Sequence, residues 1–235
     1  QGRQGVQPSI LAGHSLGEYS ALVCSGVLIF SDAIALVHQR GRLMQAAVSV
    51  GTGKMAAIIG FDDSKIAGLC EQAACGQVVS AANFNSPGQT VIAGDVDAVE
   101  RTMALCKEAG AKRALPLNIS VPSHCALMRP AAEQLQAELD KVQFSSPQIP
   151  VVQNVNAQIC DDPNLIKENL IKQLYEPVLW VDSVKCMGES GVEKILECGP
   201  GKVLSGLIKR IEPDISCFAS DSPEGLTSAI AELLP

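Results

Sequence analysis

Apolar and polar positions alternate along this chain in blocks that are typical of buried strands and amphipathic helices. Residues 8–12 (PSILA) form a short apolar run, which predicts a buried strand. Apolar side chains then recur every three or four positions, at Tyr19, Leu22 and Val23, which predicts a helix directly after that strand. We expect this helix to end at Gly26, because glycine readily adopts the left-handed conformation found at helix C-termini.

A second helical pattern covers residues 31–48, where Ser31 and Asp32 are suitable N-caps. A helix has about 3.6 residues per turn, so positions three and four apart share one face. We expect the inward face of this helix to carry Ile34, Val37, Gly41, Met44 and Val48.

Residues 51–120 have a separate pattern of apolar and polar positions, which predicts the order β-α-β-β-α-β. The expected strands are 54–60, 77–84, 89–94 and 111–119, and the expected helices are 63–74 and 95–110. The turn residues NSPG at 85–88 join the second and third strands. This order is that of a ferredoxin-like unit, and we interpret the segment as a small subdomain inserted into a larger domain.

After residue 120 the first pattern resumes, with strands and helices in alternation. We expect helices at 126–142, 164–180, 202–211 and 223–234, of which the long helix in 164–180 is closed by Pro177, and strands at 149–155, 192–201 and 215–219. Such alternation favours a mostly parallel sheet that is covered on both faces. The sequence therefore predicts an α/β protein, in which residues 1–50 and 121–235 form the larger domain.

The composition of the chain disfavours several classes of function. The chain is 47% hydrophobic and 18% charged, and its net charge of −7 disfavours a nucleic-acid-binding surface. No apolar run is long enough to span a membrane, and no signal-peptide pattern is visible. The nine cysteines lack paired spacing, which indicates reduced thiols in a cytoplasmic protein. Cys70 and Cys75 are the closest pair, and we predict neither a metal site there nor any cofactor.

The segment AGHSLGE places Ser15 between two glycines, Gly13 and Gly17. A strand before this serine and a helix after it are the setting of a nucleophile elbow, where a sharp turn exposes the hydroxyl at the end of a sheet. We expect the turn to exclude side chains at both glycines. The alternative is a plain helix N-cap, but the strand–turn–helix context favours a nucleophile.

A serine nucleophile needs a base, and the chain has three histidines: His14, His38 and His124. His14 adjoins Ser15 and must point elsewhere, while His38 lies among surface residues of a predicted helix. His124 lies between a strand end and a helix start, where the helix dipole disfavours the charged imidazole. These contexts favour His124 as the general base over an exposed or capping histidine.

Arg40 has only apolar neighbours three and four residues away on its helix. A guanidinium on a buried face requires an anionic partner, because its desolvation costs several kcal/mol. That partner is either a carboxylate of the chain or a planar carboxylate of a substrate, which arginine binds through two parallel hydrogen bonds. The spacing alone leaves both possibilities open.

Six motifs occur in an order that resembles one family over nearly the whole chain. They are GHSLGEYSAL, QRGRLMQ, ANFNSPGQTVIAG, VPSH, QLYEPVLW and GPGKVLSGL. In these motifs the chain resembles the malonyl-CoA:acyl carrier protein transacylases of bacterial fatty-acid synthesis. The resemblance implies an α/β-hydrolase-like core with a ferredoxin-like part. It also implies a ping-pong transfer of malonyl from coenzyme A, a substrate rather than a cofactor, to the phosphopantetheine thiol of acyl carrier protein.

The resemblance also implies roles for individual residues. Ser15 would be the nucleophile, His124 its base and Arg40 the ligand of the malonyl carboxylate. The backbone N–H of Leu16 would be one oxyanion donor. Gln173 would lie beside the Ser–His pair, where in the family a main-chain carbonyl replaces the acid of a triad.

One feature departs from the family pattern. Family members have an N-terminal segment with a first core strand and a Gly-Gln-Gly loop, which supplies a second oxyanion N–H. Few residues precede Ser15, and we interpret QGRQG at 1–5 as a linker because it is too close to the elbow to be that loop. We therefore expect this chain to lack an N-terminal piece and to be impaired relative to a complete, active transacylase, since one oxyanion donor is worth a factor of about 100 in rate.

Two alternative functions stay open. A serine thioesterase or esterase would use water as acceptor, although Arg40 suits a dicarboxylic acyl group better than a neutral ester. The other alternative is an inactive fragment that only binds a carrier protein.

Carrier proteins are usually acidic, so docking requires a basic patch, for which we propose the cluster Lys202, Lys209 and Arg210 over the pair Lys112 and Arg113. We expect a monomer that interacts with neither membranes nor nucleic acids.

Overall fold

The computed structural model describes residues 7–119 and 121–233, which contain both helices and strands. The helices are α1 (Gly17–Cys24), α2 (Phe30–Ala47), α3 (Asp63–Ala74), α4 (Val96–Glu108), α5 (Arg129–Leu139), α6 (Pro163–Gln173), α7 (Trp180–Glu189), α8 (Val203–Ile211) and α9 (Pro223–Leu233). The strands are β1 (Leu11–Ala12), β2 (Gly53–Ile59), β3 (Val79–Ser86), β4 (Gln89–Asp95), β5 (Arg113–Pro116), β6 (Val151–Val152), β7 (Ile159–Cys160), β8 (Lys194–Glu197) and β9 (Ser216–Ala219). The predicted α/β class is confirmed.

A four-stranded antiparallel sheet occupies the segment predicted as β-α-β-β-α-β, with strand order β3-β4-β2-β5. In its register Ile58 lies opposite Thr90 on one side and Ala114 on the other. One face of the sheet packs on α3 and α4 in an apolar cluster that includes Ile58 and Ile92. The division of the chain into a core and an inserted subdomain stays a prediction.

The opposite face of this sheet contacts the segment that contains His124. Met55, Ala57 and Ala82 pack there with Cys125, which is fully buried. The segment that contains His124 is therefore packed against the face of the antiparallel sheet that is opposite α3 and α4.

The parallel strand pairs lie in two small sheets. Strand β1 pairs parallel with β6, Ala12 lying opposite Val152, and β6 pairs antiparallel with β7. Strands β8 and β9 form a separate parallel pair. Because β1 and β6 run in the same direction, the loops that follow them, with Ser15 and Asn154, leave the same sheet edge.

Helix α2 is rotated relative to our prediction. Its buried residues are Ala33, Leu36, Arg40 and Met44. Of the predicted inward face, Met44 is buried, while Ile34 is 51% exposed and Gly41 is also exposed. The rotation turns Arg40 inward on the same face as these apolar residues, and its guanidinium has polar partners that are described below.

The long helix predicted in 164–180 and closed by Pro177 is shorter than expected. Helix α6 ends at Gln173, and the separate helix α7 begins at Trp180 and was not predicted. Pro177 disfavours helical backbone at the residue before it. In addition, Val178 crosses to the edge of β3, where its N–H donates to Ala82 O (2.9 Å) and its carbonyl accepts from Phe84 N–H (3.0 Å).

Among the helices of residues 7–119 and 121–233, none combines the length and the apolar character that a membrane span requires.

Candidate active site

The Ser15 segment has the geometry of a strained turn between β1 and α1. Ser15 has φ 52°, in the left-handed region, and α1 begins two residues later. A Cβ on Gly13 would lie 2.0 Å from the carbonyl carbon and oxygen of Gly17, so glycine is required there. Our expectation for Gly17 is wrong, because a Cβ at that position meets no atom within 4 Å.

The hydroxyl of Ser15 lies beside the imidazole of His124. Ser15 Oγ is 2.8 Å from His124 Nε2, and His124 Nδ1 is 2.6 Å from the carbonyl oxygen of Gln173. A carbonyl can only accept, so the proton sits on Nδ1 and leaves Nε2 as an acceptor for the serine hydroxyl. The structure thus brings together the two predicted residues and the main-chain carbonyl that the resemblance implied.

His124 is held in an unusual conformation. Its φ is 62°, and its backbone N–H donates to Leu174 O (2.9 Å) in the turn after α6. Left-handed residues other than glycine cost about 1–3 kcal/mol and persist where the surroundings enforce them. Both Ser15 and His124 carry this strain, which identifies the region as a candidate functional site.

Burial keeps the imidazole of His124 uncharged. His124 is 3% exposed, and desolvation, with a smaller contribution from the positive charge of Arg40, lowers its pKa to about 3. The hydrogen bond to Gln173 O opposes this shift. At neutral pH the imidazole is therefore free to accept a proton.

Arg40 reaches the same site from α2. Its Nη2 donates to Ser15 Oγ (3.1 Å) and to Gln173 Oε1 (3.1 Å), and the guanidinium lies 5.9 Å from the centre of the Tyr19 ring. Arg40 is 6% exposed, and within the described residues no carboxylate forms an ion pair with it and its Nε has no acceptor. The buried cation therefore has at least one unused donor, Nε, and no carboxylate partner among the described residues.

The sequence analysis missed Glu18, a buried carboxyl group beneath the turn. Glu18 Oε2 accepts from Gln173 Nε2 (2.6 Å), and the same Nε2 lies 3.0 Å from Ser15 O. Gln173 therefore connects Arg40, through its Oε1, to Glu18. Burial raises the pKa of Glu18 to about 7, opposed by its hydrogen bonds and by Arg40. A glutamate in the first turn of a helix is ordinary at a surface, so its spacing gave no signal of burial.

Asn154 was also missed. It follows β6 and is 1% exposed. Its Oδ1 accepts from Ser15 N–H (2.7 Å), and its Nδ2 donates to Gly13 O (2.7 Å). No motif marks this residue, because its partners are more than a hundred positions away in the sequence.

Leu16, the predicted oxyanion donor, directly follows Ser15. Its side chain is 52% exposed, and its backbone N–H has no acceptor within residues 7–119 and 121–233. The N–H of Ser15 itself is occupied by Asn154. The turn thus leaves the Leu16 N–H free beside the hydroxyl.

The other predicted residues lie outside this cluster. His14 Nε2 is hydrogen-bonded to Asn85 Oδ1 (2.8 Å), and His38 is exposed on α2. Lys202 lies 3.5 Å from Asp221, and Arg210 donates to the side chain of Gln89 (2.6 Å), so two of the three proposed docking cations have partners. The segment 1–5 lies outside the described residues.

Comparison with known proteins gives a consistent result. The acyl transferase domain model matches residues 2–211. The malonyl CoA-acyl carrier protein transacylase of Salmonella typhimurium is 56% identical over 232 residues, which cover 99% of this chain and 75% of the relative. The enzyme of that name from Escherichia coli K12 is 56% identical over 98% of this chain and 74% of its own length.

Solved structures agree with the sequence relatives. An acyl carrier protein S-malonyltransferase from Vibrio cholerae superposes with a TM-score of 0.93 at 59% identity, over 95% of this chain and 73% of that one. A malonyl-transacylase in complex with its type II PKS acyl-carrier protein superposes with a TM-score of 0.96 at 53% identity, over 97% of this chain and 74% of that one. The chain therefore belongs to the acyl transferase domain family, which these malonyl CoA-acyl carrier protein transacylases represent.

Proposed function

We propose that this protein transfers a malonyl group from malonyl-CoA to the phosphopantetheine thiol of acyl carrier protein, through an ester on Ser15. One observation carries the proposal: Ser15 Oγ lies 2.8 Å from His124 Nε2 and 3.1 Å from Arg40 Nη2. An uncharged base and an unpaired cation thus flank one hydroxyl. The names of the relatives support malonyl-CoA and acyl carrier protein as substrates.

In the first half-reaction His124 Nε2 takes the proton of the Ser15 hydroxyl while Oγ bonds to the thioester carbonyl carbon. The developing oxyanion is stabilised by the Leu16 N–H at the start of α1. The carbon–sulfur bond then breaks, and the proton held by His124 passes to the leaving thiolate of coenzyme A. The carbonyl of Gln173 stabilises the imidazolium in between.

The second half-reaction reverses these steps with another thiol. The phosphopantetheine thiol gives its proton to His124 Nε2 as sulfur bonds to the ester carbonyl carbon. The bond to Ser15 Oγ breaks, and Oγ takes the proton back from His124. The enzyme returns to its starting state, as a ping-pong mechanism requires.

Arg40 provides the selection of a dicarboxylic acyl group. A malonyl carboxylate on the guanidinium satisfies a cation that otherwise has no carboxylate within ion-pair distance among the described residues. Since Arg40 also contacts Ser15 Oγ, such a carboxylate brings the thioester carbon close to the nucleophile. A neutral acyl group leaves the guanidinium desolvated and unpaired, which is unfavourable.

The nine free cysteines suit a reducing compartment, and we propose the cytoplasm as the place of this reaction.

Intact mass after incubation with malonyl-CoA tests the proposal. We expect the protein to gain the mass of one malonyl group, and Ser15→Ala to gain none. Ser20→Ala, an exposed serine on α1, is the matched control and labels normally. Labelled protein is then mixed with holo acyl carrier protein or with buffer alone. Discharge by the carrier protein but not by buffer supports transfer, whereas equal loss in buffer indicates a thioesterase and contradicts the proposal.

A further inference from the structure

We propose that Asn154 is a positioning residue for this reaction: its carboxamide bridges the Gly13 carbonyl and the Ser15 N–H, on the N-terminal side of the nucleophile, and so holds the hydroxyl in its reactive position. The inference rests on the proposed function, because it concerns the same nucleophile. It adds a residue whose hydrogen bonds go to Ser15, Gly13, Glu18 and Leu179 and not to the base His124, and which acts through the backbone of the turn.

The two hydrogen bonds define how Asn154 is oriented. Oδ1 accepts from Ser15 N–H and Nδ2 donates to Gly13 O, each at 2.7 Å. In the reverse orientation, Nδ2 would face the Ser15 N–H and Oδ1 would face the Gly13 carbonyl oxygen, so neither hydrogen bond could form. Only one orientation of the amide is therefore compatible with the turn, and asparagine is the residue that offers both an acceptor and a donor at this length.

Asn154 is itself held firmly. Its N–H donates to Glu18 Oε2 (3.3 Å), and its carbonyl accepts from the Leu179 N–H (2.9 Å) at the start of α7. It follows Val152 of β6, which lies opposite Ala12 of β1 in the parallel pair. The strand pairing thus carries Asn154 to the Ser15 turn, and the contacts of its backbone fix the amide in place.

The bridge has two consequences for chemistry. It fixes the peptide N–H on the N-terminal side of Ser15, whose φ is 52°, and so opposes relaxation of the turn to an ordinary backbone conformation. It also occupies the Ser15 N–H, whereas the Leu16 N–H, the next amide along the chain, has no acceptor among the described residues. Asn154 therefore sets both where the hydroxyl points and which amide faces a developing oxyanion.

The first test compares the rate of Ser15 acylation by malonyl-CoA in single turnover for wild type and Asn154→Ala. We expect the rate constant to fall by roughly 10- to 100-fold, because small displacements of a reacting group have effects of that size. We expect the final labelled fraction of folded protein to be unchanged. A purely structural role would instead lower the labelled fraction and leave the rate constant of the labelled molecules as in wild type.

The second test uses Asn154→Asp, which keeps the shape of the side chain. Its protonated carboxyl can donate to Gly13 O and accept from Ser15 N–H, whereas the carboxylate can only accept. The acylation rate of this variant should therefore fall as pH rises through the pKa of the new carboxyl, with a descending limb in addition to any limb that the neighbouring Glu18, whose pKa burial raises to about 7, contributes in wild type. Asn156→Asp is the matched control: it adds the same charge at an exposed position in the same loop, and its carboxylate can still accept from the Gln158 N–H.

The outcomes separate the two proposals. If wild type is not labelled by malonyl-CoA, the proposed function fails. If wild type is labelled and the Asn154→Ala rate equals that of wild type, the role of Asn154 is overturned while the function stands. A pH profile of Asn154→Asp that parallels that of Asn156→Asp overturns it as well. Failure of both Asn154 variants to fold would identify a residue needed for folding and would also overturn the proposal.

Discussion

The antiparallel sheet and the Ser15 site are built in opposite ways. The sheet comes from one continuous segment, 53–116, and its core is apolar, with Ile58, Ile66 and Ile92 fully buried. The site is assembled from segments far apart in the chain, and its buried groups are polar or charged. The sheet is stabilised by burial of apolar area, whereas the site depends on hydrogen bonds between distant segments.

The difference extends to the backbone. In the site, Ser15 and His124 have positive φ values without being glycine, and the backbone N–H of each donates a hydrogen bond to a residue distant in the sequence. In the sheet segment the left-handed positions are glycines and Cys75, which ends helix α3. Substitutions in the site should therefore change rates more than stability, and substitutions in the sheet should do the reverse.

The largest effect is expected for His124→Ala. Removing the base should lower the rate of Ser15 acylation by roughly 10²- to 10⁴-fold, because Ser15 then has no proton acceptor at 2.8 Å. Single-turnover acylation with malonyl-CoA measures this. His38→Ala, at an exposed position of α2, should react like wild type. An acylation rate in His124→Ala within a few-fold of wild type would exclude His124 as the base.

Arg40→Ala should reduce the preference of the protein for malonyl-CoA over acetyl-CoA. We expect kcat/KM for malonyl-CoA to fall by about 10²-fold, because a buried hydrogen-bonded charge pair is lost, while acetyl-CoA is affected little. Arg40→Lys should lie between, since lysine keeps the charge but not the parallel hydrogen bonds. The measurement is acylation with both thioesters. Equal losses for malonyl-CoA and acetyl-CoA would contradict a carboxylate-binding role.

Ile58→Ala tests the sheet side of the comparison. Ile58 is fully buried, so the free energy of unfolding should fall by about 2–5 kcal/mol through lost burial and a residual cavity. The acylation rate of the folded protein should not change. Urea unfolding measures the first effect, and Ile34→Ala is its control, because Ile34 is 51% exposed and should change stability by less than about 0.5 kcal/mol.

The smallest effect is expected for wild type between pH 8 and pH 5. A base with the ordinary imidazole pKa of about 6.5 would lose roughly 30-fold in rate at pH 5 through protonation. Burial lowers the pKa of His124 to about 3, so its neutral form persists and no such loss should occur. Glu18, whose pKa burial raises to about 7, also titrates in this range.

A comparison of pH–rate profiles for wild type and Glu18→Gln separates the two groups. A limb that disappears in Glu18→Gln belongs to the glutamate. A 30-fold loss at pH 5 that persists in that variant would show that His124 titrates as an ordinary histidine.

Local pattern in the sequence determined the order of most elements and several site residues. The apolar run before Ser15 and the helical spacing after it predicted the strained turn, and the glycine at position 13 is required by a backbone contact. The position of His124 between a strand and a helix indicated a candidate base. The apolar neighbours of Arg40 indicated a buried cation that needs a partner. These features are visible locally because they depend on residues within one or two turns of each other. The roles of these residues stay predictions.

Only the tertiary structure decided which polar groups meet. Glu18 looks like a surface residue in sequence, and Asn154 belongs to no motif, yet both lie buried under the Ser15 turn. The rotation of α2 and the break after Gln173 likewise follow from partners elsewhere in the fold. A hydrogen bond between residues a hundred positions apart leaves no periodic trace in the chain, and the cost of burying a charge is offset only by neighbours that folding brings together.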